Sequence, residues 1–149
     1  MAENITKRES LDRKYLRIAL IWAENSCAVR HQVGAILVNG GRIISDGYNG
    51  MPAGFDNACE GADGKTLPEV LHAESNCLMK LVRHAGTSSE GGTMYVTLSP
   101  CIDCAKLIIQ AGIARVVYIE RYHDTAGIAL LKKAGVRVTH IAMDKLDDI

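Results

Sequence analysis

The sequence lacks an excess of charge of either sign. Lysine and arginine together number 17, and aspartate and glutamate also number 17, so the formal net charge is zero. Proteins that bind polymeric nucleic acid normally present a basic surface, and this composition gives no indication of one. The chain also lacks an apolar run near the roughly 20 residues that span a bilayer. We therefore expect neither a polymeric nucleic acid partner nor a membrane partner.

The N-terminal residues lack the features of a targeting signal. The first ten, MAENITKRES, are polar and contain no apolar core of the kind found in signal peptides. We therefore expect a cytoplasmic protein, in which the five cysteines indicate metal binding or catalysis before disulfide bonds. The 149 residues also lack repeats, low-complexity segments and breaks in composition, which predicts a single domain spanning residues 1–149.

What is present is an alternation of helical and strand patterns. Helices are predicted from a capping box at Thr6 and Glu9 to about residue 25, and over residues 68–85, 100–111 and 125–135. Strands are predicted over residues 33–38, 42–48, 93–98, 115–120 and 136–141, with a long loop at residues 49–66. The order α-β-β-α-β-α-β-α-β predicts an α/β fold, a mixed five-stranded sheet with helices on its faces.

Individual residues predict where several elements begin and end. Asn39-Gly40-Gly41 is a hairpin signal between the first two strands. Gly86 is placed to end the second helix. Ser99 predicts the N-cap of the third helix, with Pro100 at its first helical position, and Asp124 predicts the cap of the fourth.

Cys101 and Cys104 form the C-x-x-C motif of the segment SPCIDC. On a helix that begins at Pro100, both side chains would lie on one face of the first turn. The partial positive charge of a helix N-terminus lowers the thiol pKa and favours the thiolate that a metal ion requires. By itself the motif leaves a metal site, a redox pair and two buried cysteines as alternatives. The remaining cysteines are interpreted as reduced structural thiols: Cys27, Cys59 and Cys77.

His72 and Glu74, in the segment LHAESN, favour the metal site. Two thiolates and one imidazole are three zinc ligands and leave a fourth position for water, whereas structural zinc sites fill all four with protein. Zinc lowers the pKa of bound water towards 7, and Glu74 is then the group that carries protons. Helical residues two apart point about 200° from each other. Both side chains can therefore reach one metal ion only if it lies beyond the helix N-terminus.

These motifs resemble those of the deoxycytidylate (dCMP) deaminase family. HAE at residues 72–74 and PCIDC at residues 100–104 match the H-x-E…P-C-x-x-C signature of zinc nucleobase deaminases. The segments QVGAILV, RIISDGYNGMPAG, TMYVTLSPCIDCAKLIIQAGI and YHD extend the similarity from about residue 27 to residue 140. The resemblance implies a three-layer α-β-α, cytidine deaminase-like fold with one catalytic Zn2+ per chain. It also implies hydrolysis of dCMP to dUMP and ammonia, which supplies dUMP for thymidylate synthesis.

The resemblance further implies roles for individual residues. Zinc would be held by His72, Cys101 and Cys104. Glu74 would take a proton from water, pass it to N3 of cytosine and later help to protonate the leaving amine. The substrate contacts would be the backbone N–H of Ala73 at the pyrimidine O2, Asn49 at the deoxyribose hydroxyl, Tyr122 against C2′, Ser99, and Arg30 or Arg121 at the phosphate, which the planar guanidinium suits.

The family resemblance extends to regulation. Its regulated members are hexamers that dCTP activates and dTTP inhibits, at a site between the glycine-rich loop and the helix carrying HAE. In this chain the site would use Asn76, Lys80 and Arg83, which share one helical face, together with Gly47, Tyr48, Gly50 and Met51. Backbone N–H groups of such a loop can bind a triphosphate, which would bring Mg2+ with it. Alternatively, the glycines serve only a tight turn.

Three other functions stay open at this point. A tRNA adenosine deaminase would share the zinc signature but would be expected to present a basic face for RNA. A deaminase of free nucleosides would have no use for phosphate-binding arginines. A zinc-binding interaction module without catalysis would need the three ligands and not Glu74.

Overall fold

Helices and strands alternate along the chain in the predicted order. The computed structural model describes residues 5–84 and 86–147. Its helices are α1 (Lys7–Ala23), α2 (Ala73–Arg83), α3 (Ile102–Gln110) and α4 (Ala126–Lys133), with a short 3-10 helix at Met143–Lys145. Its strands are β1 (Gly34–Asn39), β2 (Arg42–Tyr48), β3 (Thr93–Leu98), β4 (Arg115–Glu120) and β5 (Arg137–His140). The predicted order of elements is confirmed.

The five strands form one mixed sheet in the order β2-β1-β3-β4-β5. Strand β1 pairs antiparallel with β2 and β3, whereas β3 with β4 and β4 with β5 are parallel pairs. The first two strands join through Gly40 and Gly41, whose φ angles of 60° and 75° are those that glycine adopts without steric cost. Both the mixed sheet and its hairpin agree with the sequence prediction.

The sheet separates two apolar clusters because successive residues of a strand point to opposite faces. Leu37, Met94 and Val116 pack with residues of α2, α3 and α4 on one face. Ile36 and Tyr95 pack with residues of α1 on the other face. The predicted three-layer α-β-α architecture is therefore confirmed. Within the described residues, no helix combines the length and the apolar character that crossing a membrane demands.

A buried ion pair attaches α1 to the sheet. The Arg115 guanidinium donates two hydrogen bonds to the Asp12 carboxylate, at 2.8 and 2.7 Å. The hydroxyl of Tyr95 donates to the same carboxylate at 2.6 Å. Removing one partner of such a pair leaves a buried charge without compensation and typically costs about 3–5 kcal/mol. Helix α1 is thus fixed at a defined position on β3 and β4.

Helix α2 begins at Ala73, five residues later than the predicted start at residue 68. Leu71 instead pairs with Gly50 in an isolated antiparallel bridge, with N–H to carbonyl distances of 3.1 and 2.9 Å. This pairing keeps the chain extended up to His72, which becomes the N-cap. The helix ends at Arg83, and its predicted last residue, Ala85, lies outside the described residues.

The predicted caps of the last two helices are also wrong. Cys101, and not Ser99, caps α3. The backbone N–H of Ser99 bonds to Glu120 in continuation of the β3–β4 pairing, which keeps that residue outside the helix. Thr125 occupies the N-cap of α4, although the Asp124 carboxylate still accepts the N–H of the first helical residue. The other boundaries of the described elements agree with the predictions within two residues.

Candidate active site

Helices α2 and α3 begin next to each other, and each begins with a candidate metal ligand. His72 and Cys101 are the two N-cap residues, both with extended backbone, at ψ angles of 158° and 171°. Cys104 follows in the first turn of α3. Helical residues two positions apart point in nearly opposite directions. His72 lies before the first helical residue, so this rule does not apply to His72 and Glu74. The requirement that the metal lie beyond the helix N-terminus is met by this arrangement.

The three candidate ligands have the spacing of a tetrahedral metal site. His72 Nδ1 lies 3.5 Å from the sulfur of Cys101 and 3.3 Å from that of Cys104. Zn–S bonds of about 2.3 Å and Zn–N bonds of about 2.0 Å at a tetrahedral angle place nitrogen and sulfur about 3.5 Å apart. A metal ion could be held where at least three His, Cys, Asp or Glu side chains come close together. Within residues 5–84 and 86–147, these three side chains form such a group. The donor set and its spacing therefore fit zinc.

The same three groups share protons with one another. Hydrogen bonds from the Cys104 thiol and from His72 lower the pKa of Cys101 to about 4. The hydrogen bond to Cys101 raises the pKa of His72, and the hydrogen bond to Cys101 together with burial raises that of Cys104. Cys101 is therefore the cysteine of the pair that loses its proton more readily. A metal ion would displace the shared protons and favour the second thiolate.

Glu74 lies directly behind the ligands and is buried. Its side chain is 4% exposed, and this burial raises the pKa of Glu74 to about 7. A carboxyl group with such a pKa can both accept and donate a proton near neutral pH, which general acid–base catalysis requires. An exposed glutamate at this position would remain ionised and could only accept.

Two glycines let neighbouring elements approach the ligand-bearing segments closely. A Cβ atom on Gly47 of β2 would lie 2.5 Å from the carbonyl oxygen of Ala73 and 2.6 Å from the amide nitrogen of Cys77. A Cβ atom on Gly127 of α4 would lie 2.7 Å from the carbonyl carbon of Cys101. Both contacts are with backbone atoms, which cannot move aside cheaply. Gly47, predicted as an effector residue, thus also sets the position of α2.

A cavity of about 250 Å³ opens over the candidate metal site. Of the residues that the sequence predicts at the site, the following line it: Arg30, Asn49, His72, Ala73, Glu74, Ser99, Cys101 and Tyr122. Arg121 is exposed and is not part of this lining, so of the two candidate phosphate ligands only Arg30 reaches the cavity. Sequence reasoning missed the following lining residues: His31, Val33, Thr66, Val70, Leu98 and His123.

The missed residues share a reason for being overlooked. His31 precedes the predicted first strand and Val33 begins it, whereas Thr66 and Val70 lie in the connection before α2. No metal-ligand or acid–base motif marks any of the four. His123 was the exception that a sequence signal could have found. It follows Tyr122 in the YHD segment, and the two ring centroids lie 4.2 Å apart.

Asn49 and Ser99 hold parts of the cavity wall in place. The Asn49 side chain accepts the N–H of Val33 at 2.9 Å and donates to the carbonyl of His31 at 2.7 Å. An amide has two donors and two acceptor positions, so Asn49 retains one of each for a ligand. The hydroxyl of Ser99 accepts the backbone N–H of Tyr122 at 2.7 Å, which holds the backbone of Tyr122 at the cavity.

A second groove, of about 620 Å³, lies on the other side of Asn49, which lines both. The predicted effector residues all line it: Gly47, Tyr48, Gly50, Met51, Asn76, Lys80 and Arg83. Lys80 forms an ion pair with Asp46 at 2.6 Å, and Asn76 donates to the carbonyl of Tyr48 at 2.8 Å. Arg83 is exposed at this groove.

A histidine and two cysteines at metal-ligand distances, with a buried glutamate beside them, define a zinc-dependent deaminase. The chain belongs to the cytidine and deoxycytidylate deaminase family, whose zinc-binding region matches residues 9–120. The deoxycytidylate deaminase of Enterobacteria phage T4 is 34% identical, over 90% of this chain and 91% of the phage protein. The human deoxycytidylate deaminase is 39% identical, over 82% of this chain and 74% of that protein.

The fold is also similar to that of a solved enzyme. The crystal structure of dCMP deaminase from the cyanophage S-TIM5, in complex with dCMP and dUMP, superimposes with a TM-score of 0.87. The two sequences are 40% identical, and the match covers 93% of this chain and 100% of that chain. The cytidine deaminase-like fold that the sequence predicts is therefore confirmed.

Substitution of Gly47 by alanine should loosen the metal site. The new Cβ atom would overlap backbone atoms of α2 and push the helix that carries Glu74 away from β2. We expect Gly47→Ala to lower both the melting temperature and the zinc retained per chain against a competing chelator. Gly50→Ala is the matched control, since a Cβ atom there meets nothing within 4 Å. Equal zinc retention in the two variants would show that the close approach at Gly47 is unimportant.

Proposed function

We propose that this chain is a single-domain dCMP deaminase that converts dCMP and water to dUMP and ammonia. The observation that carries the proposal is the buried Glu74 carboxyl beside three zinc-compatible ligands, at the floor of a cavity that Arg30 reaches. The similar cyanophage enzyme, whose crystal structure contains dCMP and dUMP, supports the choice of substrate.

His72, Cys101 and Cys104 would hold the zinc ion. When bound, zinc lowers the pKa of a coordinated water towards neutrality and so supplies the nucleophile for attack at C4 of cytosine. The N-termini of α2 and α3 both direct their partial positive charge at this point, which stabilises the two thiolates. This partial charge would add to that of the metal ion in favouring the deprotonated form of both cysteines.

Glu74 would carry the protons of the reaction. It takes a proton from the attacking water and delivers it to N3, which makes C4 a better electrophile. It then takes the proton of the hydroxyl group that has added to C4 and transfers it to the exocyclic amine, because ammonia leaves more readily than amide ion. The pKa of about 7 that burial gives Glu74 suits a group that must accept and release protons within one turnover.

The cavity wall would recognise the base, sugar and phosphate. The backbone N–H of Ala73 lies in the first turn of α2, where N–H groups have no partner within the helix, and it would donate to the pyrimidine O2. Asn49 would bind the deoxyribose hydroxyl with the donor and acceptor that its backbone contacts leave available. Tyr122 would pack against C2′ and disfavour ribose. The guanidinium of Arg30 would bind the phosphate.

Glu74→Gln should retain zinc and lose nearly all turnover. The amide keeps the size of the side chain but cannot accept and release a proton, and such groups contribute about 10²–10⁴-fold to rate. Metal content and ammonia release would be measured on the same purified protein. The exposed Glu69→Gln is the matched control and should keep wild-type activity. Turnover of Glu74→Gln above about a tenth of wild type would contradict the proton-transfer role.

Arg30→Ala should impair binding of dCMP and spare deoxycytidine. Losing a charge-assisted contact to phosphate should raise the KM for dCMP by about tenfold or more. The nucleoside carries no phosphate, so its kcat/KM should stay unchanged. Arg121→Ala is the matched control because Arg121 lies outside the cavity lining. Equal kcat/KM values of the wild type for dCMP and deoxycytidine would refute a phosphate contact.

We also propose that the second groove binds dCTP, accompanied by Mg2+, as an activator and dTTP as an inhibitor, in a homo-hexamer. The specific observation in favour is that all seven residues of the predicted effector site line this one groove. Its exposed Arg83 and its Lys80–Asp46 pair supply polar contacts for a triphosphate and a base. The two effectors would act through different affinities for two states of the enzyme.

Regulation predicts a sigmoidal dependence of rate on dCMP that becomes hyperbolic with dCTP and more sigmoidal with dTTP. Arg83→Glu should weaken both responses while zinc content stays unchanged, because the substitution reverses the charge that meets the phosphates. The exposed Lys133→Glu on α4 is the control. A hyperbolic curve unaffected by either nucleotide, from a protein sedimenting as a monomer or dimer, would contradict this part of the proposal.

A further inference from the structure

Two cysteines outside the candidate active site lie against each other. The sulfur atoms of Cys27 and Cys59 are 2.7 Å apart, although the residues are 32 positions apart in the chain. A disulfide bond is about 2.05 Å long, so bond formation requires the sulfurs to approach by only about 0.7 Å. Cys59 is buried and Cys27 is half-buried. Cys27 also lines the groove of about 620 Å³.

The backbone on either side of the two cysteines is already held together. The carboxylate of Glu60 accepts the N–H groups of Val29 and Arg30, at 2.8 and 3.3 Å. The hydroxyl of Ser26 donates to the carbonyl of Asn49 at 2.8 Å. These contacts fix the segment after α1 against the loop between β2 and α2. The proximity of the sulfurs is therefore set by several contacts that flank them.

The surroundings of the pair do not suit a metal ion. A structural zinc site needs four protein ligands. In the described part of the chain, no third histidine, cysteine, aspartate or glutamate atom joins Cys27 and Cys59 at metal-ligand distance. The nearby Glu60 carboxylate is engaged by backbone N–H groups. Two thiols without further ligands are instead the arrangement in which a disulfide forms.

We propose that Cys27 and Cys59 are a redox-modifiable pair that forms a reversible disulfide with a low-molecular-weight disulfide as the oxidant. The Cys27 thiolate attacks one sulfur of the oxidant, which gives a mixed disulfide and releases one thiol. Cys59 then attacks the Cys27 sulfur and releases the second thiol. Two protein thiols are oxidised, and one small disulfide is reduced to two thiols.

The environment of each sulfur determines this order of attack. Burial, together with the hydrogen bond to Cys27, raises the pKa of Cys59 to about 12, so its thiolate is scarce at neutral pH. Cys27 is the accessible partner and makes the first attack. Cys77 is the third cysteine outside the C-x-x-C motif. It is fully buried, and burial raises the pKa of its thiol to about 12, so it should stay reduced.

The disulfide would restrain two segments of the cavity wall relative to each other. The segment 27–33 contributes Arg30 and His31 to the cavity, and the loop that contains Cys59 contributes Asn49 and Thr66. Joining the two by a covalent bond restricts their separation. Because cytosolic conditions keep most thiols reduced, such a bond would form only under oxidising conditions and would be reversible.

The test uses the zinc-loaded full chain, equilibrated with oxidised glutathione under denaturant-free conditions and then treated with an alkylating agent. Before alkylation, we expect the intact mass to be lower than that of the reduced chain by two hydrogen atoms. After alkylation and digestion, we expect a peptide linking Cys27 to Cys59, and dithiothreitol should reverse both changes. Cys27→Ser and Cys59→Ser should each abolish the linked peptide. Cys77→Ser is the matched control and should retain it.

Two further measurements test whether the disulfide restrains the two segments or whether the two sulfur atoms are close without consequence. The oxidised protein should show a higher melting temperature and slower amide exchange in residues 27–33 and 49–60 than the reduced protein. Absence of the linked peptide, or a linkage that involves Cys101 or Cys104 instead, would overturn the proposal. A second zinc ion per chain that Cys59→Ser removes would also overturn it, since the pair would then be a metal site. None of these readouts depends on which substrate the enzyme deaminates.

Discussion

Two helix N-termini must meet at one point, and much of this structure follows from that constraint. The Nδ1 atom of His72 and the sulfur of Cys101 can approach to 3.5 Å because each residue is the N-cap of its helix. Side chains within a helix project from its sides, whereas N-cap residues project beyond its end. Helices α2 and α3 therefore have to be placed end to end with ångström accuracy. Gly47 and Gly127, which admit backbone contact from β2 and α4, are the packing positions that allow it.

The sequence predicted those features that depend on local chemistry. The order of elements and the hairpin at Gly40-Gly41 follow from patterns within about 20 residues, and the structure agrees with them. The motifs HAE and PCIDC are also local, and the structure brings their His72, Cys101 and Cys104 together as a group that could hold a metal ion. The start of α2 could not be predicted in this way. It depends on the bridge between Gly50 and Leu71, and a pairing across 21 positions leaves no trace in the residues around the helix start.

Contacts between distant segments account for the other differences. Asp12 and Arg115 are 103 positions apart, and each looks like an ordinary surface charge in its own segment. Likewise, Arg30 and Arg121 are equivalent as phosphate ligands when judged by residue type, and only the packing of the loops places one at the cavity and the other outside it. The proximity of Cys27 to Cys59 is of the same kind, since neither segment indicates the other.

Asn49 forms part of the wall of both the cavity over the candidate metal site and the second groove. Its side-chain amide also braces the chain at His31 and Val33. The cavity and the second groove are consequently separated at this point by the thickness of a single residue. A substitution of Asn49 therefore cannot change the wall of the cavity without also changing the wall of the second groove. Laboratory selection for a new nucleotide specificity at Asn49 would be expected to yield variants whose second groove has changed as well.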